Sequence, residues 1–115
     1  MSLLKYFKSN DRNADFSGLI LEVDALIAAE SLDGGEIDTL EAAWRIGIMD
    51  SGDTPSKSGR LSLLQKGVLC QTCYADNHYG FSISYPFGYK VYNALKAVQY
   101  IRRSYHEKIK LAQHD

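Results

Sequence analysis

Residues 68–85 read VLCQTCYADNHYGFSISY, and this stretch decides the fold. After residues 75–78, aromatic or apolar residues alternate with Gly80, Ser82 and Ser84, and this period of two is typical of a β-strand. Residues 75–78 are the predicted connecting loop, and Pro86 ends the second strand. The sequence therefore predicts a β-hairpin. The alternating positions are Val68, Cys70, Thr72 and Tyr74 on the first strand, then Tyr79, Phe81, Ile83 and Tyr85 on the second.

Helical periodicity precedes this hairpin. One helix is predicted from Asp15 to the glycines of Asp33-Gly34-Gly35, and a second over about residues 36–49. Thr54-Pro55 opens a third helix, which Gly67 stops, because proline suits the first helical position. The side chains predicted to face the core are Phe16, Leu19, Ile20, Val23, Leu26 and Ile27 in the first helix, Ile37, Leu40, Trp44 and Ile48 in the second, and Leu61, Leu64 and Val68 in the third.

A long helix follows the hairpin, over about residues 86–111. Residues 1–14 are predicted to be a flexible N-terminal tail, and residues 15–115 to be one domain. The order is helix, helix, turn, helix, hairpin, helix. It predicts a mainly α protein with a β-hairpin (α+β), arranged as a winged helix-turn-helix with a long C-terminal helix.

Charge is divided unevenly along the chain. The 115 residues carry a net charge of −1. The first 54 hold 4 basic and 11 acidic residues, whereas the last 61 hold 9 basic and 3 acidic residues. The basic half is expected either to meet an anion or to lie against the acidic helices. No apolar run approaches the ~20 residues that span a bilayer, and no signal peptide is recognisable. Two cysteines are too few for a disulfide scaffold, so we expect a cytoplasmic protein without a membrane partner.

Two segments resemble winged-helix regulators of the MarR type. Leu64-Gln65-Lys66-Gly67-Val68-Leu69 resembles the end of their recognition helix and the start of their wing. Tyr85-Pro86-Phe87-Gly88-Tyr89-Lys90 resembles the passage from wing to following helix, and the resemblance covers about residues 37–95. It implies a DNA-binding transcriptional regulator. Residues 51–60 are also similar to a stretch in small phage and prophage proteins, which implies a mobile-element origin.

The third helix carries the candidate DNA-binding residues. A helix N-terminus favours phosphate, and Lys57 and Arg60 are three positions apart, hence on one face. Arginine can pair with guanine and serine with phosphate. The alternative is a polar surface turn of a structural helix. The residues predicted to contact duplex DNA are Ser56, Lys57, Ser58, Arg60 and Lys66, with Asn77 and His78 at the wing tip.

No catalytic set, metal site or cofactor is predicted. Cys70 and Cys73 have metal-ligand spacing, but with His78 they supply three ligands where structural zinc needs four. Residues i and i+3 of a strand also face opposite sides, so the two thiols would diverge. The histidines are scattered, and no nucleophile motif is present. We therefore do not expect an enzyme.

The last helix has a stripe at heptad-like spacing, formed by Val91, Ala94, Val98, Ile101 and Tyr105. A helix of about 35 Å would overhang so small a domain, which favours a homodimer over a frayed end. The leading hypothesis is a small DNA-binding regulator. The alternative is a winged-helix protein–protein interaction module, such as a phage accessory protein that binds a host factor. Surface charge distinguishes them: a regulator needs Lys57, Arg60 and Lys66 on one positive face, and an interaction module an acidic or aromatic patch.

Overall fold

The structure is a computed structural model that describes residues 16–112, and its secondary structure is mainly helical. Four α-helices and one antiparallel hairpin in this range confirm the α+β prediction. The predicted N-terminal tail, residues 1–14, lies outside the described residues. In chain order the elements are α1 (Phe16–Glu30), α2 (Gly34–Ile46), a 3-10 helix (Ser51–Asp53), α3 (Lys57–Gln65), β1 (Leu69–Ala75), β2 (His78–Ile83) and α4 (Phe87–Ala112).

The hairpin lies where the alternating pattern predicts it. β1 and β2 pair antiparallel, with Leu69 opposite Ile83 and Cys73 opposite Tyr79. The turn is shorter than the predicted four-residue loop, because Ala75 and His78 already pair. Asn77 has a φ of 60°, which asparagine tolerates better than most residues.

A single residue extends this sheet. The backbone N–H of Met49 donates to Phe81 O and the N–H of Phe81 donates to Met49 O, each at 2.8 Å. This bridge ties the segment after α2 to β2. Gly47, with a φ of 93°, ends α2 and turns the chain toward the bridge. Met49 is therefore buried, whereas Ile48, predicted in the core, is exposed.

Helices α2 and α3 approach closely at their N-terminal ends. A Cβ added at Gly59 would come within 2.7 Å of the carbonyl of Gly35. Thr39 Oγ1, on α2, donates to Gly35 O at 2.8 Å and to Ser56 O at 3.3 Å. Small residues at the crossing and a shared hydroxyl donor thus set the position of α3 against α2.

The N-terminal boundaries of α2 and α3 differ from the prediction. Asp33 caps α2 instead of ending α1, since its carboxylate accepts from the Glu36 amide and the Glu36 side chain accepts from the Asp33 amide. Such a reciprocal pair satisfies two free helix donors at once. At α3 the cap is Ser56, two residues beyond Thr54.

The core lies between the four helices and the hairpin, and two further predicted core positions, on α2 and α3, prove wrong. Trp44 is 46% exposed and Leu61 is 57% exposed. On α3 the inward face is set by the Gly59 contact with α2, and one turn later that face carries Leu63 and not Leu61. The largest fully buried side chains are Leu40, Met49, Leu63, Val68, Val91 and Thr39.

Helix α1 faces the core with small residues, contrary to the predicted stripe. Ala25 and Ala29 are buried together with Ile20, whereas Leu19 and Ile27 are 58% and 54% exposed and Leu26 is also exposed. The side chain of Phe16 lies outside the described residues. Alanines let α1 approach α4 closely, which places the larger side chains on the opposite face. None of the helices within residues 16–112 combines the length and apolarity needed to cross a membrane.

Candidate interaction surface

The first turn of α3 combines one structural serine with two exposed residues. Ser56 Oγ accepts from the Gly59 N–H at 3.0 Å, so this side chain caps the helix. Lys57 and Ser58 are exposed, and Ser58 Oγ lies 3.3 Å from Ser56 Oγ. Among the predicted DNA contacts in this first turn, Lys57 and Ser58 are therefore the side chains that face solvent.

Arg60 is held by neighbours within the chain. Its Nη1 donates to Ser51 Oγ at 3.1 Å and to Thr54 Oγ1 at 3.3 Å. Its Cζ lies 4.5 Å from the centroid of the Phe81 ring, within the range of a cation–π contact. The guanidinium therefore joins the 3-10 helix, α3 and β2, and it does not lie on the exposed face with Lys57.

Lys66 is paired with a buried carboxylate. Its ammonium donates to Glu36 Oε2 at 2.7 Å, and Ser62 Oγ donates to the same oxygen at 2.9 Å. Burial alone would raise the pKa of Glu36, but the bonds from Lys66, the Asp33 amide and Ser62 outweigh it and hold that pKa below its ordinary value. The positive charge of Lys66 is therefore compensated locally.

The wing tip offers aromatic rings and an acidic neighbour. The Tyr74 hydroxyl donates to Asp50 Oδ1 at 2.7 Å, and this bond raises the pKa of Tyr74. The His78 ring lies against the Tyr74 ring, with centroids 6.1 Å apart and planes 26° apart. Asn77 and His78 are exposed as predicted contacts should be, but Asp50 and Asp76 are exposed in the same region. The structure does not join Lys57, Arg60 and Lys66 into one free positive face.

A second surface escaped the sequence analysis. Trp44, Tyr85 and Tyr89 are all exposed, and we call them the aromatic patch. The Trp44 and Tyr89 rings meet edge to face at 5.8 Å, and those of Tyr85 and Tyr89 at 5.9 Å. A cavity of about 160 Å³ opens beside them, lined by Ala43, Trp44, Gly47, Ile83 and Tyr89.

Buried Tyr92 supports this patch from below. Its ring stacks on Trp44 with centroids 4.1 Å apart and planes 9° apart. Its hydroxyl donates to Glu41 at 3.3 Å, and Glu41 also pairs with Lys96, which lies over the Tyr92 ring. The buried Tyr92 ring therefore holds the exposed Trp44 ring in place. The crowding of tyrosines in the second half of the sequence was the available signal, but it could not place them beside Trp44.

The thiols lie apart and form no bond with each other. Cys70 and Cys73 are free and exposed. Cys70 Sγ lies 3.5 Å from Ser82 Oγ, and Cys73 Sγ donates to Ala75 O at 3.3 Å. Within residues 16–112, no group of three or more histidine, cysteine or acidic side chains is placed to hold a metal ion.

The stripe predicted to form a dimer interface divides into two parts. Val91 and Val98 are buried within the chain and Ala94 is half-buried, so the first part of the stripe faces its own core. Ile101 and Tyr105 are each 63% exposed. A partner of the folded chain would therefore meet only the distal part of the stripe.

Comparison of the chain with family models, curated proteins and solved structures finds no significant match.

Proposed function

We propose that this protein is a protein–protein interaction module built on a winged-helix scaffold, with the aromatic patch as its contact surface. One observation carries the proposal: Trp44 and Tyr89 are exposed beside a small cavity, whereas Arg60 and Lys66 are engaged within the chain. An aromatic surface and not a positive one is the arrangement expected of an interaction module.

The order of elements supports the winged-helix assignment. Helices α2 and α3 follow one another as in a helix-turn-helix, but residues 47–56 between them include a 3-10 helix and are longer than the usual turn of about 3–4 residues. The hairpin comes directly after α3, in the position of a wing, and the Met49–Phe81 bridge ties it to the connection between the helices. On this scaffold the aromatic patch lies at the end of α2 and the start of α4, away from the exposed residues of α3.

The composition of the patch fits a site of protein recognition. Tryptophan and tyrosine dominate the residues that contribute most to protein–protein binding, because they bury a large area at little entropic cost. The cavity floor of Ala43, Gly47 and Ile83 is apolar. An aliphatic or proline side chain of the partner, placed in this cavity beside Trp44 and Tyr89, would be desolvated there.

Because Trp44 is the only tryptophan, its fluorescence reports directly on this site. A displayed library of random dodecapeptides, counter-selected against Tyr89→Ala, supplies the probe. We expect the selected peptides to be rich in apolar or proline residues and to shift the Trp44 emission. Tyr89→Ala should weaken their binding more than about tenfold, as expected for a central interface aromatic.

Tyr79→Ala is the matched control, since Tyr79 is an exposed tyrosine on the hairpin, outside the patch. It should bind the selected peptides as the wild type does. Equal losses in both variants, or a library that yields no peptide dependent on Tyr89, would contradict the proposal.

The second candidate is a DNA-binding transcriptional regulator of phage or mobile-element type. The observation that favours it is the exposure of Lys57 and Ser58 at the start of α3, the helix that enters the major groove in this class of fold. Fluorescence anisotropy of a labelled random duplex, between about 50 and 200 mM salt, tests it. Affinity that falls steeply with salt would favour DNA over a protein partner.

A further inference from the structure

The C-terminal part of α4, nearly half of its length, extends beyond the helix that packs against it. Two ion pairs, Lys90–Glu22 and Arg102–Glu30, join α4 to α1 and show that the two helices run in parallel. α1 ends at Glu30, so α1 covers α4 only as far as about Arg102. We call residues 101–112 the overhang, which is about 18 Å long at ~1.5 Å per residue.

The overhang carries an uncovered apolar row. Ile101, Tyr105 and Ile109 are four positions apart, so they lie along one side of the helix, and all three are exposed. They continue the row of Val91 and Val98, which is buried in the first part of α4. The row therefore remains apolar where its own chain no longer covers it.

The outer face of α1 carries a second uncovered row. Leu19, Leu26 and Ile27 are exposed, whereas Ala25 and Ala29 of the same helix are buried in the core. From Leu19 to Ile27 the row rises about 12 Å, which equals the rise from Ile101 to Ile109. The two rows therefore match in length.

Charge indicates which surface covers the overhang. Four of the five charged side chains in the overhang are basic: Arg102, Arg103, Lys108 and Lys110, against Glu107. α1 carries Glu22, Asp24 and Glu30 and no basic residue. Two overhangs packed on each other would bring like charges together. An overhang packed on α1 of another molecule avoids this repulsion, because α1 carries no basic residue and its Glu22 and Glu30 are already paired with Lys90 and Arg102 of their own chain.

We propose that a second copy of this chain covers both rows. In this homodimer the overhang of each protomer packs on the outer face of the partner's α1. A two-fold axis makes both contacts at once, because each protomer supplies one overhang and one α1 face. Removal of both apolar rows from water stabilises the assembly. The inference does not depend on the aromatic patch.

Sedimentation equilibrium at tens of micromolar tests the assembly. The wild type should sediment as a dimer, and Leu26→Asp and Ile101→Asp should each sediment as a monomer, because each places a charge in the contact. Circular dichroism should be unchanged in both, since the substituted side chains are exposed. Leu61→Asp, at an equally exposed leucine on α3, should remain dimeric. A monomeric wild type, or a dimer that survives both substitutions, would overturn the proposal.

Cross-linking distinguishes this dimer from one in which the overhangs pair with each other. In a background of Cys70→Ser and Cys73→Ser, the single variants Ile27→Cys and Ile101→Cys are mixed and oxidised. We expect the product that joins position 27 to position 101 to form at least about tenfold faster than either homodimeric product. Preferential linkage of Ile101→Cys to itself would refute the proposed arrangement.

Discussion

The ammonium of Lys66 lies 2.7 Å from Oε2 of Glu36, whose side chain is only 4% exposed. Glu36 belongs to the first turn of α2 and Lys66 follows the last residue of α3, so the pair joins the two helices. A buried carboxylate without a partner is strongly destabilising. Lys66 therefore stabilises the packing of α2 on α3, and its charge is not available to an external anion.

Replacing Glu36 with glutamine should lower the free energy of unfolding at pH 7 by about 2 kcal/mol, through the loss of its charge-assisted hydrogen bonds. The pKa of Glu36 is lowered in the folded chain, so the unfolded state binds the proton more readily. The ionised Glu36 therefore contributes to the free energy of unfolding above the ordinary glutamate pKa of about 4.3. This contribution is lost as pH falls through the lowered pKa that Glu36 has in the folded chain.

Urea unfolding at a series of pH values measures the difference in the free energy of unfolding between wild type and Glu36→Gln. The difference should narrow as pH falls below about 4.3. Asp38→Asn, at an exposed position on α2, is the control and should leave stability unchanged at each pH. A gap between wild type and Glu36→Gln that does not change with pH would contradict the role given to this carboxylate.

Alanine at Gly59 should destabilise the fold by about 1–3 kcal/mol, the usual cost of overpacking. Its Cβ would lie 2.7 Å from backbone atoms of Gly35, which cannot move without separating α2 from α3. Gly34→Ala is the matched control, because nothing lies within 4 Å of its Cβ position. Chemical denaturation compares the two, and equal stabilities would show that the crossing of α2 and α3 is loose.

The sequence predicted the order of elements well and the faces of the helices poorly. A period of two located the hairpin because alternate side chains of a strand must face opposite sides. On α1, by contrast, the large side chains form a regular stripe, but Ala25 and Ala29 face the core. Periodicity finds an apolar stripe without identifying what covers it. A stripe covered by a second molecule has the same sequence periodicity as a stripe buried in its own chain.

The candidate site could not be predicted for a related reason. Ser56, Lys57 and Ser58 do lie at the start of α3, as their spacing indicated. Arg60 is engaged in part by Phe81, which is distant in sequence and is bridged to Met49. The stacking of Trp44 on Tyr92 likewise joins two helices. Contacts between distant segments decide which charges remain free, and a local pattern does not contain them.

Trp44→Ala should be only moderately destabilising, by about 1–2 kcal/mol, because the side chain is half exposed and an aromatic pair contributes about 0.5–1.5 kcal/mol. Leu63→Ala is the comparison: it empties a fully buried site and should lose about 2–5 kcal/mol. Thermal unfolding followed by circular dichroism ranks the two. A greater loss for Trp44→Ala would show that the tryptophan belongs to the core and not to an interaction surface.

Substituting both cysteines with serine should leave the fold intact. Cys70 and Cys73 are exposed, and each contacts only hydroxyl or carbonyl oxygens that a serine can also reach. The double variant should unfold at the same temperature as the wild type. Elemental analysis of purified wild-type protein should find no stoichiometric zinc. One zinc per chain would overturn the interpretation of the hairpin as free of metal.

Substitutions of Lys57 and Arg60, which are three positions apart, should differ in their effect on stability. Arg60→Ala removes hydrogen bonds to Ser51 and Thr54 and a contact with Phe81, so it should cost about 1–2 kcal/mol of stability. Lys57→Ala alters an exposed side chain and should change stability by less than about 0.5 kcal/mol. Urea denaturation of the two variants measures this difference.

The same pair then tests the DNA-binding candidate. If α3 contacts duplex DNA, Lys57→Ala should reduce the slope of log K against log salt by about 0.9, the value for one phosphate contact. Arg60→Ala should leave that slope unchanged when measured well below its unfolding temperature, because its guanidinium is directed at its own chain. A loss of slope in Arg60→Ala alone would mean that Arg60 leaves Phe81 to meet a phosphate. Unchanged slopes in both variants would exclude the start of α3 as the DNA contact and leave the aromatic patch as the surface that carries function.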